Sequence, residues 1–98
     1  MAEGVLLESG FTFNFPAWQP KGEVALKDQV KKIQEETIEV SIAESDGDVF
    51  LMAMELMDVI HCAETGLRML GVEKLTLDAA RLAVERKNAE RGYYKKEN

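Results

Sequence analysis

The sequence predicts an all-α fold: an antiparallel helical hairpin followed by a third helix. Three observations carry this expectation. No proline occurs after Pro20, apolar residues recur at three-four spacing from Val24 onward, and Asp-Gly or Gly punctuation divides that region into three stretches. Residues 1–22 differ in kind. They hold Pro16 and Pro20 together with Phe11, Phe13, Phe15 and Trp18, which reads as an N-terminal arm ahead of a helical domain at 23–98. Phe11, Phe13 and Phe15 alternate with Thr12 and Asn14, so a short strand fits there, confined by Pro16 to an edge.

The first helix is expected from about Val24 to Ser45, where Leu26, Val30, Ile33, Thr37 and Val40 make one apolar stripe. Asp46-Gly47-Asp48 ends it, and Asp46 or Asp48 offers an acceptor to the first N–H groups of a second helix, Val49 to Leu70, closed by Gly71. At ~1.5 Å per residue these are matched rods of roughly 33 Å, which a short turn folds into an antiparallel pair. Thr76 is the expected cap of a third helix, Leu77 to about Arg91, whose apolar residues Ala80, Ala83 and Val84 are smaller and whose stop is Gly92. Tyr93 to Asn98 reads as a solvated tail.

The second helix is apolar around almost its whole circumference, through Phe50, Leu51, Met54, Met57, Ile60 and Leu67 among others. Two partner helices cannot cover such a surface, so a second copy of the chain is expected to help.

Composition bounds the function. The chain of 98 residues is 46% hydrophobic, enough for one small core and too short for a multidomain enzyme. Its net charge of −6 repels phosphate backbones, so nucleic acid is not an expected partner. The single Cys62 permits neither an internal disulfide nor a four-thiolate zinc site, which suits a reducing compartment. Met1-Ala2-Glu3-Gly4 lacks the basic and apolar regions of a signal peptide, and no run approaches the ~20 apolar residues of a spanning helix. A cytoplasmic protein without membrane contact is the expectation.

Chemistry is expected where charge is set into the apolar second helix. Glu55 and Asp58 are three residues apart and share a face. A buried carboxylate pair must be protonated, paired with a cation or bound to a metal, because unpaired charge in a low-dielectric interior costs several kcal/mol. Glu36 and Glu39 repeat the spacing on the first helix, beside Ile33 and Val40. With the turn near residue 47, position 36 falls opposite 58 and position 39 opposite 55. Four hard oxygen donors at one level, without Cys or His, suit Mg²⁺ or Mn²⁺ rather than Zn²⁺. Solvated acids on the first helix and salt bridges from Glu55 and Asp58 to another helix are the plainer alternatives.

Glu35-Glu36-Thr37-Ile38-Glu39 and, after residues 40–54, Glu55-Leu56-Met57-Asp58-Val59-Ile60 resemble the ExxE…ExxD signature of the MazG-like all-α nucleoside triphosphate pyrophosphohydrolases. That superfamily also holds the dimeric dUTPases and the phosphoribosyl-ATP pyrophosphohydrolases. The resemblance covers Lys31 to about Tyr94. It implies a four-helix-bundle core completed by oligomerisation, as a homodimer or homotetramer. It implies Mg²⁺, with Mn²⁺ as a substitute, held by Glu36, Glu39, Glu55 and Asp58 against substrate phosphates, with Glu35 as an additional catalytic acid. Attack at the α-phosphorus would release a nucleoside monophosphate and pyrophosphate. The absence of a Gly-rich loop followed by Lys-Ser or Lys-Thr agrees with a site that does not cradle a terminal phosphate.

The family's late third-helix residues that meet phosphate or sugar correspond here to Lys87, Asn88 and Arg91. A plainer role for these cations is to complement the helix dipole. Trp18 and the phenylalanines of the arm offer faces to a base or cover a neighbouring subunit. His61 departs from the family pattern, which has an apolar or aromatic residue there. Asp58-x-x-His61 imitates a di-iron ligand pair, but the chain has one histidine and no Glu-x-x-His, which argues against that reading. Cys62 is expected as a small core residue, with no base placed to activate it. The alternative to an enzyme is a non-catalytic interaction bundle of the same fold.

Overall fold

The structure, a computed structural model, describes residues 13–17 and 25–94. These residues form three helices: α1 (Leu26–Asp46), α2 (Val49–Met69) and α3 (Lys74–Glu90). No strand occurs among the described residues, so Phe13 and Phe15 follow an irregular path; Phe11, at the start of the expected strand, lies outside them. None of the described helices is long and apolar enough to cross a membrane.

The α1–α2 hairpin is built by its turn. Gly47 takes a left-handed conformation at φ 74°, where a side chain would be strained, and its N–H donates to the Ala43 and Glu44 carbonyls. Asp48 follows at once as the cap of α2, its carboxylate accepting the Leu51 N–H at 3.0 Å. Two residues thus reverse the chain.

The α1 face turned toward α2 is the expected stripe only in part. Gln29 and Ala43 are buried and Ile33, Glu36 and Val40 half-buried, whereas Leu26, Val30 and Thr37 are exposed. The seam is therefore rotated toward small and polar residues. Gly66 of α2 faces this seam, and a Cβ built there would stand at ordinary contact distance, 3.7 Å from Gln29 Cγ and 3.8 Å from Ile33 Cδ1. Gln29 follows its stem into this contact and donates from Nε2 to the Cys62 carbonyl at 2.9 Å.

The third helix starts one turn earlier than Thr76 would place it. Glu73 is its N-cap, without a side-chain cap bond, and the Thr76 and Leu77 N–H groups donate to the Glu73 carbonyl. Lys74 and Asp78 pair at 2.9 Å across the first turn, and with the helix-forming Lys74 and Leu75 they carry the start past Thr76. Gly92, at φ 75°, lies just past the end of α3.

The core of a single chain is small. Ala43 is the only buried hydrophobic among the described residues, and Val49 and Phe50 on α2 are each 75% exposed. Met54, Leu56, Met57 and Leu67 are exposed as well. The radius of gyration of 15.5 Å exceeds the about 13 Å of a compact chain of this length. A hairpin with α3 leaning loosely on α2 accounts for this, with a groove of about 500 Å³ between Ile60, Ala63 and Leu67 on one side and Leu77, Ala80 and Val84 on the other.

Candidate functional site

The two-residue turn at Gly47 and Asp48 sets the register of the hairpin, and the acidic residues of its two helices fall near one another as a result. The Glu55 carboxyl is held above its ordinary value of 4.5, first by burial, then by the charges of Asp58, Glu39 and Glu36, and by a hydrogen bond with Asp58. Each of these neighbours favours the protonated form of Glu55. Glu55 is thus reached by Asp58 from its own helix and by Glu36 and Glu39 from α1. The four acids meet as charges and not as a closed ligand shell: among the described residues no three His, Cys, Asp or Glu side chains stand close enough together to enclose an ion.

A cleft of about 310 Å³ opens beside them, lined by Glu36, Asp58, Lys32, His61, Gln29 and Thr65, with Cys62 at its floor. Burial and the neighbouring Glu36 raise the Cys62 thiol above its ordinary 9.0, with Asp58 adding and Lys32 opposing, which disfavours the thiolate. Lys32 reaches the Glu36 carboxylate at 3.8 Å while remaining half exposed. It is the cation that the hairpin itself brings to the cleft.

The arm is fastened to the side of α2 remote from α1. Glu64 is buried and accepts the N–H groups of Asn14 at 3.0 Å and Phe15 at 2.8 Å. Asn14 adopts a left-handed φ of 50°, which asparagine tolerates, and successive N–H groups converge on one carboxylate. Arg68 donates from Nη2 to the Phe15 carbonyl at 2.9 Å and to Asn14 Oδ1 at 3.2 Å. One turn before Glu64, His61 stacks on Phe15 with ring centroids 4.9 Å apart, and its Nε2 lies 3.3 Å from the Pro16 carbonyl oxygen.

These positions correct the expectation of a buried Glu55 and Asp58 pair. The buried carboxylate of α2 is Glu64; Glu55 is half-buried and Asp58 exposed, because α1 covers one flank of them only. The reasoning that singles out Glu55 and Asp58, charge set into an apolar helix, applies equally to Glu64 and Arg68, and Asn14 between two phenylalanines marks where the arm bends. Lys32 carries a weaker signal, its i, i+4 spacing to Glu36.

Glu35 is exposed on α1 and lines no part of the cleft. Lys87 and Arg91 are exposed and Asn88 half-buried at the far end of α3, which contributes no residue to the cleft of a single chain. Trp18 lies outside the described residues. No family model, no curated protein and no solved structure matches this chain.

Proposed function

We propose that the chain is a Mg²⁺-dependent nucleotide pyrophosphohydrolase acting as a homo-oligomer, and that it cleaves a nucleoside triphosphate or related nucleotide to monophosphate and pyrophosphate. The observation that carries this reading is that Glu55 is reached by Asp58 along its own helix and by Glu36 and Glu39 across the hairpin. Four carboxylates held in range of one another destabilise a fold unless a cation relieves them, and their hard oxygens fit Mg²⁺, with Mn²⁺ in its place. Glu36, Glu39, Glu55 and Asp58 would hold the ion, and once bound it supplies charge neutralisation at phosphate oxygens and a more acidic water.

The chain's own residues then divide the work. Lys32, at the edge of the cleft, offers a point charge to the phosphates. Glu39 and Asp58 orient the attacking water at the α-phosphorus. Lys87, Asn88 and Arg91 serve the leaving charge from the α3 of a second copy, and Glu35 lends further negative charge beside the cluster. The exposed Val49, Phe50, Met54 and Met57 support association of copies through α2, a surface that two helices of one chain leave uncovered.

A second reading, a non-catalytic interaction bundle of the same fold, draws on the same apolar face and on the open arrangement of the acids. Chromatography of a reaction with a nucleoside triphosphate and Mg²⁺ separates the two. Monophosphate and pyrophosphate are expected, with activity lost by orders of magnitude in folded Glu39→Gln and Asp58→Asn. Diphosphate with orthophosphate, or full activity in Asp58→Asn, overturns the mechanism; no product from any triphosphate leaves the interaction bundle.

A further inference from the structure

His61 belongs at once to the acidic cleft and to the contact with the arm. The Pro16 carbonyl can only accept, so the contact at Nε2 calls for a proton on that nitrogen, which leaves Nδ1 of the neutral ring as an acceptor. Phe15 covers one face of the imidazole at an interplanar angle of 18°, and Glu64 and Arg68 pin Phe15 through its N–H and carbonyl. The ring is thus fixed in place by a segment more than forty residues away in sequence.

The cleft itself is divided. Its acidic end is Glu36 and Asp58 with Lys32; beside Cys62, its other residues, Gln29, His61 and Thr65, are polar groups able to donate or accept hydrogen bonds. From Asp58 to Thr65 the helix rises ~10 Å at ~1.5 Å per residue. A ligand that suits such a cleft is charged at one end and uncharged but polar at the other, as a nucleotide is. We propose that His61, positioned by Phe15 and Pro16, contacts the nucleoside half of the substrate one helical turn beyond the carboxylates. This inference rests on the nucleotide reading above and adds to it the residue that senses base and sugar.

The chain has a single histidine, so its imidazole resonances in an NMR spectrum belong to His61 without further assignment. The protein is titrated with Mg²⁺ and each of the four common nucleoside monophosphates, and separately with Mg²⁺ and pyrophosphate. Saturable movement of the His61 ring signals by at least one monophosphate, with no movement by pyrophosphate, is the expected result. Phe15→Ala is expected to weaken monophosphate binding about tenfold, the worth of one well-placed contact, while leaving pyrophosphate binding unchanged. Ring signals that stay still while a monophosphate binds, or that move equally with pyrophosphate, overturn the proposal and leave the nucleotide reading standing. Equal weakening of both ligands in Phe15→Ala also overturns it, since the arm then supports the fold alone. If neither ligand binds, the nucleotide reading falls and this inference falls with it.

Discussion

Phe15 and Glu64, 49 residues apart in the chain, are joined by an N–H to carboxylate hydrogen bond of 2.8 Å. The same carboxylate takes the Asn14 N–H, so truncation at this one position strands two backbone donors. Glu64→Ala is expected to destabilise the protein by about 1–2 kcal/mol, the partial exposure of the arm limiting the loss. Urea unfolding at fixed protein concentration measures this, and hydrogen exchange at the Asn14 and Phe15 amides reports the cause. Exchange rates there that match the parent protein's would show that the arm is held by its rings alone.

Gly66 is a site where the opposite sign is expected. It lies in the interior of α2 with helical backbone, and a Cβ would meet Gln29 and Ile33 at ordinary contact distance. Gly66→Ala therefore gains helix propensity and fills space without forcing the seam apart, worth about 0.5–1 kcal/mol. A rise in the urea midpoint is the expected outcome; a fall would mean that the seam at Gln29 and Ile33 is tighter than these contact distances.

The Glu55 carboxyl supplies a pH dependence with a definite sign. Its folded value lies above the ordinary 4.5, so in the window above 4.5 the folded state retains a proton that the unfolded chain has released. Stability from this group is present below 4.5 and declines as pH rises through the folded value. In the presence of a chelator, Glu55→Gln should melt at a higher temperature than the parent at neutral pH, the gap closing as pH falls below 4.5. Millimolar Mg²⁺ or Mn²⁺ should raise the parent's melting temperature and leave Glu36→Gln and Asp58→Asn unmoved. Identical melting curves with and without the ion would remove the metal site from consideration.

Association through α2 is tested at its most exposed aromatic. Phe50→Asp places charge on a surface that a second copy is proposed to cover, and should convert the oligomer to monomer in sedimentation at low micromolar concentration. A parent chain that already sediments as a stable monomer would contradict the proposed assembly.

The helices and their turn are legible because local chemistry sets them: Asp48 caps α2, Gly47 and Gly71 take the left-handed conformation, and no proline follows Pro20. The start of α3 was misplaced because Thr76 is a good cap in isolation, while Glu73 starts the helix through its backbone alone. Of the apolar stripe Leu26, Val30, Ile33, Thr37 and Val40, only Ile33 and Val40 turn inward, because periodicity reports how apolar a face is and not which part of it a partner helix covers. The four acids could be placed near one another by counting from the turn. Glu64 and Arg68 could not be paired with the arm, since nothing in the spacing of a helix indicates which distant loop will satisfy a charge on its back.

The reversal at Gly47 and Asp48 also orders events in time. A hairpin closed over two residues brings its arms together at minimal loop entropy, so α1 and α2 can zip from the turn outward as soon as both are nucleated. The acidic residues lie part-way along that zipper and are forced together before the seam at Gln29 and Gly66 closes behind them. Like-charge repulsion is thus met midway through collapse and not at its end, and a divalent cation present during refolding should quicken the approach to the native hairpin as well as deepen its minimum.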